Sequence, residues 1–155
     1  MFRFALIAVS WLIASSAVAK DASIDLNAFA QRYFNAMVAT QAPDATQQDL
    51  TTYLALLADD VGHSHLPWDS DDSRSPDGKA AMLKGMTFYL GAHSEFKAEL
   101  LNVFTFNDSA IAIRYKKYAK GIHPQNKQPI EYTSVMMEVL EMEDGKVAVI
   151  RKYHE

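Results

Sequence analysis

The sequence has no cysteine at all. That excludes disulfides, thiolate metal sites and cysteine nucleophiles. Glycine and proline are scarce, with 6 and 5 residues in 155, so neither a low-complexity linker nor a collagen-like segment is present. Long hydrophobic runs are also missing apart from one at the N-terminus. Positive charge is in deficit: 15 Lys and Arg stand against 19 Asp and Glu. A mildly acidic chain without a Lys/Arg stripe is a poor ligand for nucleic acid or an anionic membrane, and neither is expected as a partner.

The N-terminal run has the form of an export signal. Met1-Phe-Arg-Phe supplies a positive start, Ala5 to Ser16 is uncharged and apolar, and Ala17-Val18-Ala19 offers the small-x-small cleavage pattern. About a dozen residues at 1.5 Å each fall short of a roughly 30 Å bilayer core. The expected division is therefore a signal peptide over 1–19 and one domain over 20–155. The mature protein is expected to be periplasmic or secreted and free of the membrane. Such a length suits one domain that buries about two-thirds of its unfolded surface. Export also separates the domain from ATP and NAD, and no cofactor is expected.

Hydrophobic spacing predicts a helix over 25–40, with Leu26, Phe29, Ala30, Tyr33, Phe34, Met37 and Val38 on one face and Ser23 or Asp25 as cap. Thr46-Gln-Gln-Asp49 resembles a capping box opening a second helix that runs through Leu57 and ends near Asp59-Asp60. A short strand, 61–66, a polar loop, 68–78, and a third helix, 80–90, follow. From Phe96 the period becomes strand-like. Asn107-Asp108, the 121–129 loop and Asp144-Gly145 divide the remainder into strands 95–106, 109–119, 130–142 and 146–154, an antiparallel meander. The fold class is α+β. Opposite charges on the second and third of these strands, Arg114, Lys116, Lys117 and Lys120 against Glu138, Glu141, Glu143 and Asp144, suggest cross-strand pairing.

Few residues offer chemistry. His63 and His65 are two apart on a strand, hence on one face. They suit acid/base work, ligand hydrogen bonding or metal ligation, or they are simple hydrogen-bonding rim residues. Spacing fixes no third ligand, so no metal site is assigned. The acidic 69–78 loop fails the EF-hand pattern, with Arg74 at position six and Ala80 at position twelve. Glu138 shares a strand face with Met136 and Leu140. Buried without a cation its pKa would rise, making it a protonated donor; otherwise Arg114 or Lys116 is its partner across the hairpin. Tyr33 lies on the apolar face of the first helix, His154 is penultimate, and Trp68 opens the polar loop as a further ligand-binding candidate.

The order of these parts resembles the nuclear transport factor 2-like superfamily, which includes ketosteroid isomerase and the SnoaL-type polyketide cyclases. The likeness covers residues 24–154. It is carried by Gln31-Arg-Tyr33, Leu57-Ala-Asp59-Asp60-Val61, the Gly78-Lys79 opening of the third helix, Glu143-Asp-Gly145-Lys-Val147 and Arg151-Lys-Tyr153. It implies three N-terminal helices packed on a strongly curved, mainly antiparallel sheet, forming a cone with an internal pocket and often a homodimer. By position it implies that Tyr33 is the pocket tyrosine, His65 the base, Glu138 the oxyanion-hole acid and His154 a pocket aromatic, with His63 beside His65. Three of these four differ in residue type from the isomerase, so the resemblance does not carry steroid isomerisation with it. Two functions are expected from this set, beside a third, an interaction module, since this sheet type often dimerises through its outer face. One is a binding domain for a small, partly apolar ligand. The other is a proton-transfer enzyme (isomerase, dehydratase or cyclase) with His65 as general base and Tyr33 and Glu138 as oxyanion stabilisers.

Overall fold

A computed structural model describes residues 24–155; the expected signal peptide and its cleavage point lie outside them. The elements run α1 (Leu26–Ala39), α2 (Gln47–Leu54), β1 (Leu57–Leu66), α3 (Gly78–Tyr89), β2 (His93–Phe106), β3 (Ala110–Ile122), β4 (Pro129–Glu143) and β5 (Lys146–His154). The sheet has five strands in the order β1-β5-β4-β3-β2. The last four make the antiparallel meander, while β1 joins β5 in parallel. β1 and β2 are the two edges, so the sheet is not closed on itself. The helices are not one N-terminal block either, because β1 stands between α2 and α3. Among the described residues no helix is long and apolar enough to cross a membrane.

Local chemistry explains the boundaries. The Asp25 carboxylate accepts the backbone N–H groups of Asn27 and Ala28 at 3.0 Å, satisfying donors that the first turn of α1 leaves open. The Asp49 carboxylate accepts the Thr46 N–H and hydroxyl at 2.8 and 2.7 Å. The second helix is shorter than its periodicity predicts. Leu57 has already joined the sheet opposite Val147, whose N–H bonds the Leu56 carbonyl at 3.0 Å. Asp59 and Asp60 therefore lie on an irregular stretch of β1, where Lys79 and Arg74 pair with them. Tight turns use Asn107, Asp144 and Gly145, all with positive φ.

The core lies between α1, α2 and the inner face of the sheet, around Phe29, Tyr33, Tyr53, Leu57, Ile111, Ile113, Leu140 and Ile150. Helix α3 contributes no fully buried residue. It is held against β1 at Gly78, where a Cβ would come within 2.3 Å of the Val61 carbonyl oxygen. The 68–77 segment is pinned to the sheet, since Arg74 bridges Asp60 and Glu143 and Arg151 bonds Asp72.

The expected pairing of the β3 cations with Glu138, Glu141, Glu143 and Asp144 is corrected, although Lys120 does meet another β4 acid, Glu131, directly across the ladder at 3.2 Å. Register sets Lys116 opposite Val135, Lys117 opposite Ser134 and Glu138 opposite Ile113. The acids take their cations elsewhere: Glu141 from Arg151, Glu143 from Arg74 and Glu138 from Lys152. Alternation decides this, because Lys117 and Glu138 point inward while Arg114, Lys116 and Lys120 point outward.

Candidate functional site

A cavity of about 800 Å³ opens between α3 and the inner face of the sheet. Its apolar wall is built from helical and strand periodicity together. Met82, Met86 and Tyr89 face it from α3, Met136 and Tyr132 from β4, and Phe96 from β2. Polar side chains enter at defined rows. His63 and His65 come from β1, Lys152 and His154 from β5, and Lys117 from β3. Register sets His65 beside Lys152 and Lys152 beside Glu138.

Glu138 is wholly buried (0% exposed) and saturated with donors. The Tyr33 hydroxyl donates to Oε2 at 2.7 Å, the Tyr115 hydroxyl donates to Oε1 at 2.6 Å, and Lys152 Nζ is 3.3 Å from Oε1. Because Tyr33 has one proton and gives it to Glu138, the 3.0 Å contact between the Tyr33 and Tyr53 hydroxyls has Tyr53 as donor. Burial alone would push the carboxyl pKa up. The Lys152 ammonium and the two hydroxyls more than offset it and hold the group below the usual carboxylate range. Burial disfavours the Lys152 charge, which Glu138 restores, so that its pKa is raised. Burial raises Tyr33 and Tyr115 well above the ordinary tyrosine value and Tyr53 to about 12. The condition for a protonated Glu138, burial without a cation, is thus not met. The carboxyl is an anion holding Lys152, and neither Arg114 nor Lys116 is its partner.

The imidazoles form a second group. The His63 and His65 rings meet edge-on at 4.5 Å between centroids, and His65 Nδ1 lies 3.2 Å from His154 Nε2. Trp68, 74% exposed, lays its ring against His154 at 4.6 Å. A backbone bridge between His65 and Asp69 turns the chain back to place it there. Burial, followed by the charge of Lys152, lowers the pKa of His63 to about 3 and of His65 to about 4. Both are neutral at pH 7, and each is a weaker base than free imidazole.

The residues singled out in the sequence therefore divide. His63, His65 and His154 line the cavity, and Trp68 packs on His154 outside the lining. Tyr33 and Glu138 lie behind the lining, with Tyr53 and Lys152 in front of them. Sequence reasoning missed Lys152, Lys117, Tyr53 and Tyr115. The signal for two of them was strand alternation: Lys152 shares a face with Ile150 and His154, and Lys117 with Ile113 and Tyr115.

No family model matches the sequence, and neither does any curated protein. Solved structures do match in shape. A candidate SnoaL-like polyketide cyclase from Shewanella putrefaciens CN-32 superposes with a TM-score of 0.62 at 12% identity, over 96% of this chain and 92% of that one. An NTF2-like protein from Anabaena variabilis gives 0.61 at 15% identity, over 83% and 88%. An LEH-like epoxide hydrolase from M. tuberculosis gives 0.56 at 17% identity, over 80% of each chain. The chain has the fold of nuclear transport factor 2-like proteins. At these identities the likeness concerns fold, which hosts many unrelated functions.

Proposed function

We propose that the protein is exported, cut after Ala19, and binds a small, partly apolar molecule inside a cone-shaped domain that pairs as a homodimer. The carrying observation is the cavity of about 800 Å³, whose methionine and aromatic wall is interrupted by a few convergent polar groups. That combination is the general form of a small-molecule site. Native mass spectrometry of the protein purified from its own host tests the reading. The expected result is a mass increment of a bound small molecule, lost on denaturation. A bare chain at every stage of a gentle purification counts against it. The same spectra report whether the species is a dimer, and the N-terminal mass reports the cut.

A second reading has support in one feature, the neutral His65 ring facing the cavity in contact with two other imidazoles. In it the domain transfers a proton with His65 as general base, and Tyr33 and Glu138 act from behind by positioning Lys152 and Tyr53. The structural neighbours include an epoxide hydrolase and a candidate polyketide cyclase, so catalysis is within the repertoire of this fold. Incubating the retained molecule with the protein in D2O and measuring deuterium uptake separates the two readings. Uptake that disappears in His65→Gln supports catalysis, whereas a ligand returned without exchange supports binding alone.

A further inference from the structure

The charges around the cavity are one-sided. All five histidines of the sequence line it, together with Lys117 and Lys152, and among the described residues no aspartate or glutamate does. Lys152 is neutralised from behind by Glu138. Lys117 is not: among the described residues it makes no ion pair, and its ammonium lies 5.4 Å from the centroid of the Tyr132 ring. Burial, then the charge of Lys152, hold its pKa below the ordinary lysine value. Among the described residues Lys117 is therefore the one lysine of the lining without a carboxylate partner.

A second observation lies directly across the ladder. Ser134 pairs with Lys117 in the β3–β4 register, and its hydroxyl is buried with no hydrogen-bond partner. Its strand parity is that of Tyr132 and Met136, which both line the cavity. Cβ atoms of such a pair stand about 5 Å apart on one face. The structure therefore sets an unsatisfied hydroxyl donor directly across the ladder from the backbone position that sends Lys117 into the cavity. Buried donors are normally satisfied; the Ser134 oxygen is covered and lies just behind the lining, so a rotation of its side chain toward the cavity would let it meet a ligand acceptor.

We propose that the molecule bound here is a monocarboxylate with an aromatic or similarly apolar body, its carboxylate seated at Lys117 and Ser134 and its body against the methionine wall. The assignment rests on the binding reading above. A single negative charge matches the single uncompensated cation, whereas a phosphate dianion overshoots it. Met82, Met86, Phe96 and Met136 supply an apolar wall suited to a ring system.

Isothermal titration calorimetry tests this on the host-purified protein, freed of retained ligand and refolded, at pH 7.5. The probes are 1-naphthoate, its neutral analogue 1-naphthamide, and 1-naphthyl phosphate. Naphthoate is expected to bind at least about tenfold tighter than the amide, the effect of one charge-assisted contact in a partly desolvated site. Lys117→Met is expected to bring the acid down to the affinity of the amide, and Lys117→Arg to keep the preference. Circular dichroism establishes that each variant is folded. Equal affinity for acid and amide in the wild type overturns the anion assignment and leaves the binding reading standing, as does a preference that survives in folded Lys117→Met. Tighter binding of the phosphate than of the acid overturns the carboxylate. Failure of all three probes overturns this proposal, whereas the binding reading falls only if the host-purified protein carries no retained molecule.

Discussion

Arg151 and Lys152 are neighbours in β5 and live in opposite worlds. Arg151 points outward and bonds Asp72 and Glu141 at a surface where all three side chains remain partly exposed. Lys152 points inward, 17% exposed, onto a carboxylate with no exposure at all. Both are ion pairs, but water screens the first from all sides and reaches the second only from the cavity side of Lys152, never at Glu138. An exposed pair gains about 0–1 kcal/mol because solvent competes for each partner. A buried pair adds little beyond a well-packed apolar pair, yet removing one partner strands a charge without solvent. Proximity in sequence says nothing about that difference; which side of the sheet a residue faces says nearly all of it.

The contrast can be broken most forcefully at Glu138. Glu138→Ala leaves Lys152 unpaired and two tyrosine hydroxyls without an acceptor, and should cost about 3–5 kcal/mol in urea unfolding. Combining Glu138→Leu with Lys152→Met should recover most of that loss, because it removes both charges; a double variant as weak as the single one breaks the account. Next in size is Tyr33→Phe. It deletes the hydrogen bond to an ionised acceptor and the acceptor for Tyr53, with an expected loss of about 1.5–3 kcal/mol in the same assay.

Acid sharpens the comparison further. His63 and His65 have folded pKa values of about 3 and about 4, below the unfolded value of about 6.5. The unfolded chain thus takes up protons first as pH falls, and stability should decline from about pH 6.5 toward 4. The limiting slope is about 1.4 kcal/mol per pH unit for each fully linked proton. Glu138, with its folded pKa depressed, contributes stability that is present above its unfolded pKa and lost as pH drops through the folded one. Urea midpoints measured from pH 7 to 4 should show the decline, and His63→Leu should flatten it. The smallest effect belongs to the outer face. Arg151→Ala should change stability by no more than about 1 kcal/mol, and 0.5 M NaCl should shrink even that.

Much of this protein was legible before its coordinates. The 3.6-residue spacing of Leu26, Phe29, Tyr33 and Met37 marked α1 to within a residue or two, and Asp144-Gly145 marked the last hairpin. Both signals are local, and local physics suffices for them. Errors arose where a distant strand competed with a local preference. Leu57 continues the apolar period of α2, but pairing opposite Val147 claims it for β1. In the site, pairwise spacing brought His63 and His65 together, and a histidine two residues from another on a strand has nowhere else to point. What it could not supply was the partner of Glu138, because Lys152 comes from a strand whose register depends on the whole meander.

The sequence by itself determined the absence of thiol chemistry, the acidic balance, the order of the elements and the faces on which Tyr33, His65 and Glu138 lie. These follow from composition and from periods of 3.6 and 2, which are properties of single segments. Tertiary structure decided the charge states. It set Lys152 on Glu138, left Lys117 in the cavity without a carboxylate partner, and lowered the pKa values of His63 and His65 by burial. Charge state depends on what lies within a few ångströms and on how far water is excluded, and only the assembled sheet sets either.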